Sequence, residues 1–221
     1  NLCGYFTMEN VPGGSLDQFW KSHGSRLVPL ETTVNIMKQV CRGLSVAHAE
    51  NPPIIHRDIK PQNILVGYET DGLRARISDF GLAKKVNPLT LFATAAGTLS
   101  FKPPEAFKKN KGDSCAGDVW GLGATLYLLL TDQLPYKLDP DLGWNNKNAF
   151  DVKITPPSEL NFEVDKKLEK VVLRCLEENP EDRFQNAKEI LKALEGWKFA
   201  PASALDSSKK QASDISKSVL G

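Results

Sequence analysis

Ile55-His56-Arg57-Asp58-Ile59-Lys60-Pro61-Gln62-Asn63-Ile64-Leu65-Val66, followed after a turn by Ala75-Arg76-Ile77-Ser78-Asp79-Phe80-Gly81, is the stretch on which the fold of this 221-residue chain is decided. Its β-branched pieces, 64–66 and 75–77, flank the turn-rich Glu69 to Gly72, which predicts a hairpin. Asp58, Lys60 and Asn63 crowd the entry to that hairpin, and a further acid, Asp79, follows its exit.

Around the hairpin the pattern is helical. Upstream, Leu2 to Glu9 is apolar and aromatic like a strand and runs into the breaker Val11-Pro12-Gly13-Gly14. Ser15, with Leu16, Phe19 and Trp20 behind it, reads as the start of a short helix. After the link Gly24 to Pro29, a longer helix is predicted from Thr32 to about Glu50, because Ile36, Val40 and Leu44 recur every four residues beside Met37 and Cys41. Asn51-Pro52-Pro53 ends it.

Downstream, residues 80–117 form a Gly/Pro/Thr-punctuated stretch longer than an ordinary connection, the kind of loop that carries function. Asp118 to Leu130 is nearly all apolar or small, so it reads as a helix buried on every side and the hub of the core. Beyond the loop Leu134 to Pro157, two amphipathic helices are expected, one with Leu168, Val171, Val172, Cys175 and Leu176, the other with Ile190, Leu191, Leu194 and Trp197. From Ala200 the chain is rich in Ser, Ala and Lys without periodicity, which reads as a flexible tail or linker. The fold class expected is mainly α (α+β), helical with one small hairpin.

Composition narrows the function classes. Hydrophobic residues at 41% and charged residues at 25% describe a globular protein, which excludes disordered and fibrous classes. Lys plus Arg (28) nearly cancels Asp plus Glu (27), so no net field points to nucleic acid or anionic lipid. Cys3, Cys41, Cys115 and Cys175 lie far apart with no CxxC, which reads as reduced thiols and a cytoplasmic setting. The longest apolar run, Gly121 to Leu130, is half a membrane span, so no membrane segment is expected in this chain, although a longer protein could be anchored elsewhere.

The spacing of His56-Arg57-Asp58 to Asn63, and of Asp79-Phe80-Gly81 across the hairpin, matches the H-R-D-x-x-x-x-N loop and D-F-G turn of protein kinases. Gly97-Thr98, Pro103-Pro104-Glu105 (where the family's A-P-E has Ala first), the helix beginning Asp118-Val119-Trp120-Gly121 and Asn179-Pro180-Glu181-Asp182-Arg183-Phe184 follow in the family's order. Residues 2–197 therefore resemble the C-terminal lobe of a serine/threonine protein kinase, in wording close to the bacterial eukaryotic-like group. The resemblance implies a last N-lobe strand and hinge at 1–14, the C-lobe at 15–199 and a tail at 200–221.

It also implies roles. ATP and Mg²⁺, with Mn²⁺ as a substitute, would be the cofactors. Asp58 would orient the acceptor hydroxyl and take its proton, Lys60 would reach the γ-phosphate, and Asn63 and Asp79 would hold the metal. Lys60 and Thr98 mark a Ser/Thr rather than a Tyr kinase. The backbone of Glu9 and Val11 would meet the adenine edge, with Met8 as gatekeeper and Leu65 under the ring. His56 and Phe80 would be packing members anchored by Asp118, and Glu105 and Arg183 a buried ion pair. Arg57, a cation stranded beside the site, would with Lys84 receive a phosphate on Thr94, Thr90 and Thr98 being competitors. Kinases that prefer basic substrates tend to carry acids where this chain has Ser15, Gln62 and Leu128, so no strong Arg requirement is expected. Taken singly, each of these side chains reads as a turn residue or a solvated charge; the joint spacing gives them weight.

No GxGxxG and no strand Lys for ATP is found in these 221 residues. The expectation is a single lobe with negligible activity alone, whose partners are a protein substrate, its own N-terminal lobe and a second copy in a homodimer, with no nucleic acid. The rival readings are a pseudokinase scaffold, a helical interaction module, and a small-molecule phosphotransferase. The last lacks the Thr-rich loop and the P-P-E motif seen here.

Overall fold

Ser15 opens the first helix by chemistry its residue type supplies. Its Oγ accepts from the Gln18 amide at 3.3 Å while Gln18 Oε1 accepts from the Ser15 amide at 2.9 Å, a reciprocal capping box for α1 (Leu16–Ser22). The computed structural model describes residues 11–24, 27–80, 100–107, 113–136, 150 and 153–199. Met8, Glu9, Lys84, Thr90, Thr94, Gly97, Thr98 and the tail from Ala200 lie outside the described residues.

Helix α2 spans Leu30–His48, two residues earlier at each end than the periodicity suggested, with Val34, Ile36, Met37, Val40, Cys41 and Leu44 on its buried side. Strands β1 (Ile64–Glu69) and β2 (Gly72–Ile77) pair antiparallel in the register Ile64 to Ile77 and Glu69 to Gly72. Gly72, at φ 117°, takes a backbone conformation that side chains resist, which fixes the turn. Among the described residues this hairpin is the whole sheet.

Helix α3 (Cys115–Thr131) begins three residues before the expected Asp118, because Ser114 Oγ caps it by accepting from the Gly117 amide at 3.1 Å. From Asp118 to Thr131 every residue is buried, as a hub requires. Two glycines let its neighbours come close. A Cβ on Gly121 would stand 2.7 Å from the Ile59 carbonyl oxygen, and one on Gly123 would stand 2.5 Å from Cys175 Cβ. Helix α3 therefore carries the loop of Ile59 directly on one side and the late helix of Cys175 on the other.

The late helices are α4 (Pro157–Leu160), α5 (Lys166–Cys175) and α6 (Ala187–Glu195). Asp165 caps α5 by accepting from the Lys167 and Leu168 amides at 2.9 and 2.7 Å, and Asn186 caps α6 by accepting from the Glu189 amide at 3.2 Å. Helix α2 packs on α6 and β2, and α3 on α5 and α2, so one core joins all the long elements. The result is helix-rich with a small sheet, as expected. No helix of the described residues is long and apolar enough to cross a membrane. Cys41 and Cys175 are buried free thiols, and burial pushes the Cys175 thiol up to about 12, which leaves it unreactive.

Candidate active site

The loop from His56 to Asn63 owes its shape to one carboxylate in the first turn of α3, where the helix dipole favours negative charge. Asp118 Oδ2 accepts from the His56 amide at 2.7 Å and from His48 Nε2 at 3.0 Å, and Oδ1 accepts from the Arg57 amide at 2.7 Å. Those bonds hold Arg57 at φ 71°, a left-handed conformation that costs a non-glycine residue about 1–3 kcal/mol. His56 is fully buried. Its Nδ1 accepts from the Asp58 amide at 3.3 Å, so Nε2 carries the proton and donates to the Ser78 carbonyl at 2.8 Å. The ring is thus a satisfied structural group joining the loop to the end of the hairpin.

Asp58 is where the charged side chains converge. A 3₁₀ turn at Pro61–Asn63 swings Asn63 back, so that its Nδ2 donates to the Asp58 carbonyl at 2.8 Å and to Asp58 Oδ2 at 2.9 Å. Lys60 Nζ lies 2.7 Å from the same Oδ2. Lys102 Nζ donates to Asp58 Oδ1 and to the Arg57 carbonyl, each at 2.8 Å. Burial by itself pushes the Asp58 carboxyl up, but the hydrogen bonds and charges of Lys102 and Lys60 outweigh it and hold the group below the usual carboxylate range. Asp58 is therefore an anion flanked by cations, able to accept a hydrogen bond from a hydroxyl.

Asp79 follows β2 at φ 62°, exposed, with Ser78 between it and Asn63. The Ser78 amide donates to the Asn63 carbonyl at 2.9 Å, and Ser78 Oγ lies 3.2 Å from that carbonyl and 3.1 Å from Asp79 Oδ2. Both Asn63 Nδ2 bonds go to Asp58, which leaves Asn63 Oδ1 available to accept, while Ser78 Oγ joins the Asn63 backbone to the Asp79 carboxylate. Hard oxygen donors of this kind suit Mg²⁺, which takes one or two protein ligands and completes its shell with water and phosphate. Among the described residues no three His, Cys, Asp or Glu side chains cluster as a self-sufficient metal cage would need.

Phe80 sets its edge against His56 with ring centroids 4.7 Å apart, as a packing partner should, yet 41% of it stays exposed. Segment 11–15 lies along β1, the strand of Leu65, and Val11 Cγ1 stands 3.2 Å from where a Cβ on Gly67 would be. The Val66 amide donates to the Gly14 carbonyl at 2.8 Å, and Ser15 bridges Leu65. A Cβ on Gly13 would stand 1.9 Å from the Val66 carbonyl oxygen, so only glycine permits this approach.

The expectation for Arg57 needs correction. It is not a stranded cation, since its Nε lies 2.7 Å from Asp113 Oδ2 in a contact of charge whose angle falls short of a hydrogen bond. Glu105 and Arg183 do form a buried pair, with both guanidinium Nη atoms 2.7 Å from the carboxylate. Ser15 and Gln62 serve α1: Ser15 is its cap, and Gln62 Nε2 donates to Asp17 Oδ1 at 2.9 Å. Leu128 is buried in the core. Asp17 places an acid beside Gln62 that the sequence expectation did not count.

Lys102, Asp113 and His48 are the site residues that sequence reasoning missed. Lys102 carried a faint signal as the lone charge in Phe101-Lys102-Pro103-Pro104, and His48 as the polar residue closing the buried face of α2. His48 Nδ1 accepts from the Ala187 amide at 3.2 Å, so it joins Asp118 to the start of α6.

A family profile described as the protein kinase domain matches residues 3–194. The chain is 35% identical over 196 residues to a probable serine/threonine-protein kinase of Clostridium acetobutylicum, covering 88% of this chain and 28% of the relative. It is 32% identical over 212 residues to a probable serine/threonine-protein kinase of Clostridium perfringens, covering 95% of this chain and 30% of the relative. With the serine/threonine-protein kinase PknB of Mycobacterium leprae it shares 31% identity over 189 residues, 84% of this chain and 29% of the relative. The chain thus spans less than a third of the length of these relatives.

Proposed function

The chain belongs to the protein kinase family, and on that premise we propose that its Asp58, Lys60, Asn63 and Asp79 serve the transfer of the ATP γ-phosphate to Ser and Thr hydroxyls of proteins. The observation that carries the reading is the Asp58 carboxylate, held by Asn63 and by cations on both oxygens, with Asn63 joined in turn to Asp79 through Ser78. Phosphoryl transfer is mainly positioning and charge neutralisation, so a fixed anion for the hydroxyl and a nearby lysine for the phosphate are the parts it needs.

In this mechanism Asp58 accepts a hydrogen bond from the substrate hydroxyl and takes its proton as the phosphoryl group leaves ATP. Lys60 moves from Asp58 Oδ2 to the γ-phosphate and neutralises its charge. Asn63 Oδ1 and Asp79 would hold Mg²⁺, which supplies neutralisation of the phosphate oxygens. The surface of Val11 and Leu65 would receive the adenine, with Glu9 contributing backbone.

We further read residues 15–199 as the C-terminal lobe, with the Gly-rich loop and the ATP-binding lysine supplied by other sequence. One fact supports this: the chain contains no GxGxxG. Phosphorylation of Thr94 would bring an anion to Arg57 and Lys84 in competition with Asp113. The test is ³²P transfer by the full-length protein carrying this segment, offered protein and small-molecule acceptors, with Asp58→Asn as control. Label on protein Ser and Thr that disappears in Asp58→Asn supports the proposal; label on the small molecules alone, or transfer indifferent to Asp58, refutes it.

A further inference from the structure

The two oxygens of Asp58 are held by different groups. Oδ2 carries Asn63 Nδ2 and Lys60, whereas the donor to Oδ1 among the described residues is Lys102. Lys60 is the group assigned to the γ-phosphate, and a lysine that has moved to a phosphate no longer steadies the carboxylate it left. Something else must keep Asp58 from turning when ATP is bound.

We propose that Lys102 is a positioning residue for phosphoryl transfer, pinning Asp58 Oδ1 to the Arg57 carbonyl so that the carboxylate keeps its orientation once Lys60 has gone to the phosphate. The proposal rests on the kinase function argued above. Lys102 Nζ bridges two oxygens of consecutive residues at 2.8 Å each, which fixes a side chain relative to its own backbone as a single contact does not. Asn63 Nδ2 makes the mirror arrangement on the other face, bridging the Asp58 carbonyl and Oδ2. Asp58 is thus clamped from both sides, and the second clamp stays when Lys60 departs.

The backbone gives a second reason. Arg57 is held at φ 71° by its amide bond to Asp118, and its carbonyl is the atom Lys102 takes. Residues held in such conformations persist where the surroundings over-determine them. Lys102 has the footing to do this: its side chain is 17% exposed, and three residues on, Glu105 is buried against Arg183. A lysine serving only as a solvated surface charge would have neither the enclosure nor the double acceptor.

The experiment compares wild type, Lys102→Met and Lys102→Arg in the full-length protein. In Lys102→Met, kcat falls about 10- to 100-fold, the range in which a misplaced catalytic group costs rate, while KM for ATP and the melting temperature stay near wild type. Lys102→Arg, whose guanidinium can span both oxygens, restores most of kcat. An unchanged or raised kcat in Lys102→Met overturns the proposal, and so does a loss that follows KM for ATP or melting temperature instead of kcat. A readout independent of turnover is the Asn63 side-chain amide in ¹⁵N-labelled apo protein. Its Nδ2 signals shift or broaden in Lys102→Met and return in Lys102→Arg, and signals indifferent to both variants count against the proposal. Wild type without Asp58-dependent transfer defeats the kinase reading instead, and the amide signals then decide the role of Lys102.

Discussion

Replacing Arg183 by alanine tests how the fold ties the 3₁₀ turn Pro104–Phe107 to the late helices. Arg183 is 1% exposed, and every N–H of its guanidinium has an acceptor. Nη1 and Nη2 face the Glu105 carboxylate at 2.7 Å each, Nε donates to the Glu177 carbonyl at 2.7 Å, and the remaining hydrogens go to the carbonyls of Ala116 at 3.0 Å and Glu178 at 2.9 Å. The guanidinium also lies over the Trp120 ring, 4.9 Å from its centroid. Alanine removes all of this at once, leaving a 7%-exposed carboxylate without its counter-charge and a void against Trp120.

Breaking a buried ion pair by deleting one partner costs about 3–5 kcal/mol. For a domain of this size each kcal/mol moves the melting temperature by roughly 2–4 °C, so the expected drop is about 6–20 °C. The loss is also asymmetric. Glu105→Ala leaves a cation that still has its carbonyl acceptors and the Trp120 face, so it should cost less than Arg183→Ala. Urea unfolding of the 221-residue chain followed by circular dichroism, with both single variants and the double, gives the two costs and their coupling. A loss below about 1 kcal/mol for Arg183→Ala, the behaviour of an exposed pair, would refute the reasoning.

Gly121→Ala should destabilise by about 1–3 kcal/mol through overpacking, since its Cβ would fall 2.7 Å from the Ile59 carbonyl oxygen and 2.9 Å from Ile59 Cβ. It should also lower phosphotransfer in the full-length protein by shifting the loop that carries Asp58; a variant melting and turning over like wild type contradicts that packing. Burial pushes the Glu169 carboxyl up, but the Ser158 hydroxyl and amide and Lys166 outweigh it and hold it below its ordinary 4.5. Its folded value is thus the lower one, so its contribution to stability is present above 4.5 and is lost as pH falls through the folded value. Glu169→Gln should therefore flatten the acid limb of melting temperature against pH, and identical limbs in the two proteins would exclude it. Asp113→Asn should change stability by less than about 1 kcal/mol, because the pair it forms with Arg57 is partly exposed. It should raise the ratio of phosphorylated to dephosphorylated activity by freeing Arg57, and an unchanged ratio would show that Asp113 and a loop phosphate do not compete.

The sequence made the long elements legible because apolar residues at helical spacing have to share one buried face, and α2, α3, α5 and α6 all fall on the stretches that spacing marks, with ends of α2 and α3 displaced by two or three residues. The shift of α3 toward Cys115 follows from Ser114, a cap that weighs little against a long apolar run. Asp58, Lys60 and Asn63 were legible as a group because they are neighbours in the chain and one 3₁₀ turn brings them together. The Glu105–Arg183 pair was legible through family resemblance, since nothing local in either residue announces a partner 78 positions away. Asp113 was not legible at all, and Lys102 only as a lone charge with no partner in view. A lysine or aspartate in a loop looks the same whether it points to water or to a catalytic loop, and both lie far along the chain from the residues they meet. That is also why Arg57 read as stranded: its anion arrives by tertiary folding.

The contacts that prepare Asp58 close into a ring. The Arg57 amide bonds Asp118 in the first turn of α3, the Arg57 carbonyl bonds Lys102, and Lys102 precedes the 3₁₀ turn Pro104–Phe107 that holds Glu105. Glu105 pairs with Arg183, and Arg183 returns to the Ala116 carbonyl in that same first turn of α3. Most links of this ring are short, buried and built from backbone or from a bidentate pair, so opening them means unfolding the domain locally. Lys102 differs: it reaches the loop through a flexible four-carbon stem and its ammonium is strongly hydrated when free. It is the link that can open while α3, Arg183 and Asp118 stay in place. Rearrangement of the stretch around Lys102 would then reach Asp58 first through Lys102, altering the orientation of the carboxylate before it altered the stability of the fold. Variants at Arg183 and at Lys102 should therefore separate cleanly, the first lowering melting temperature and the second lowering kcat.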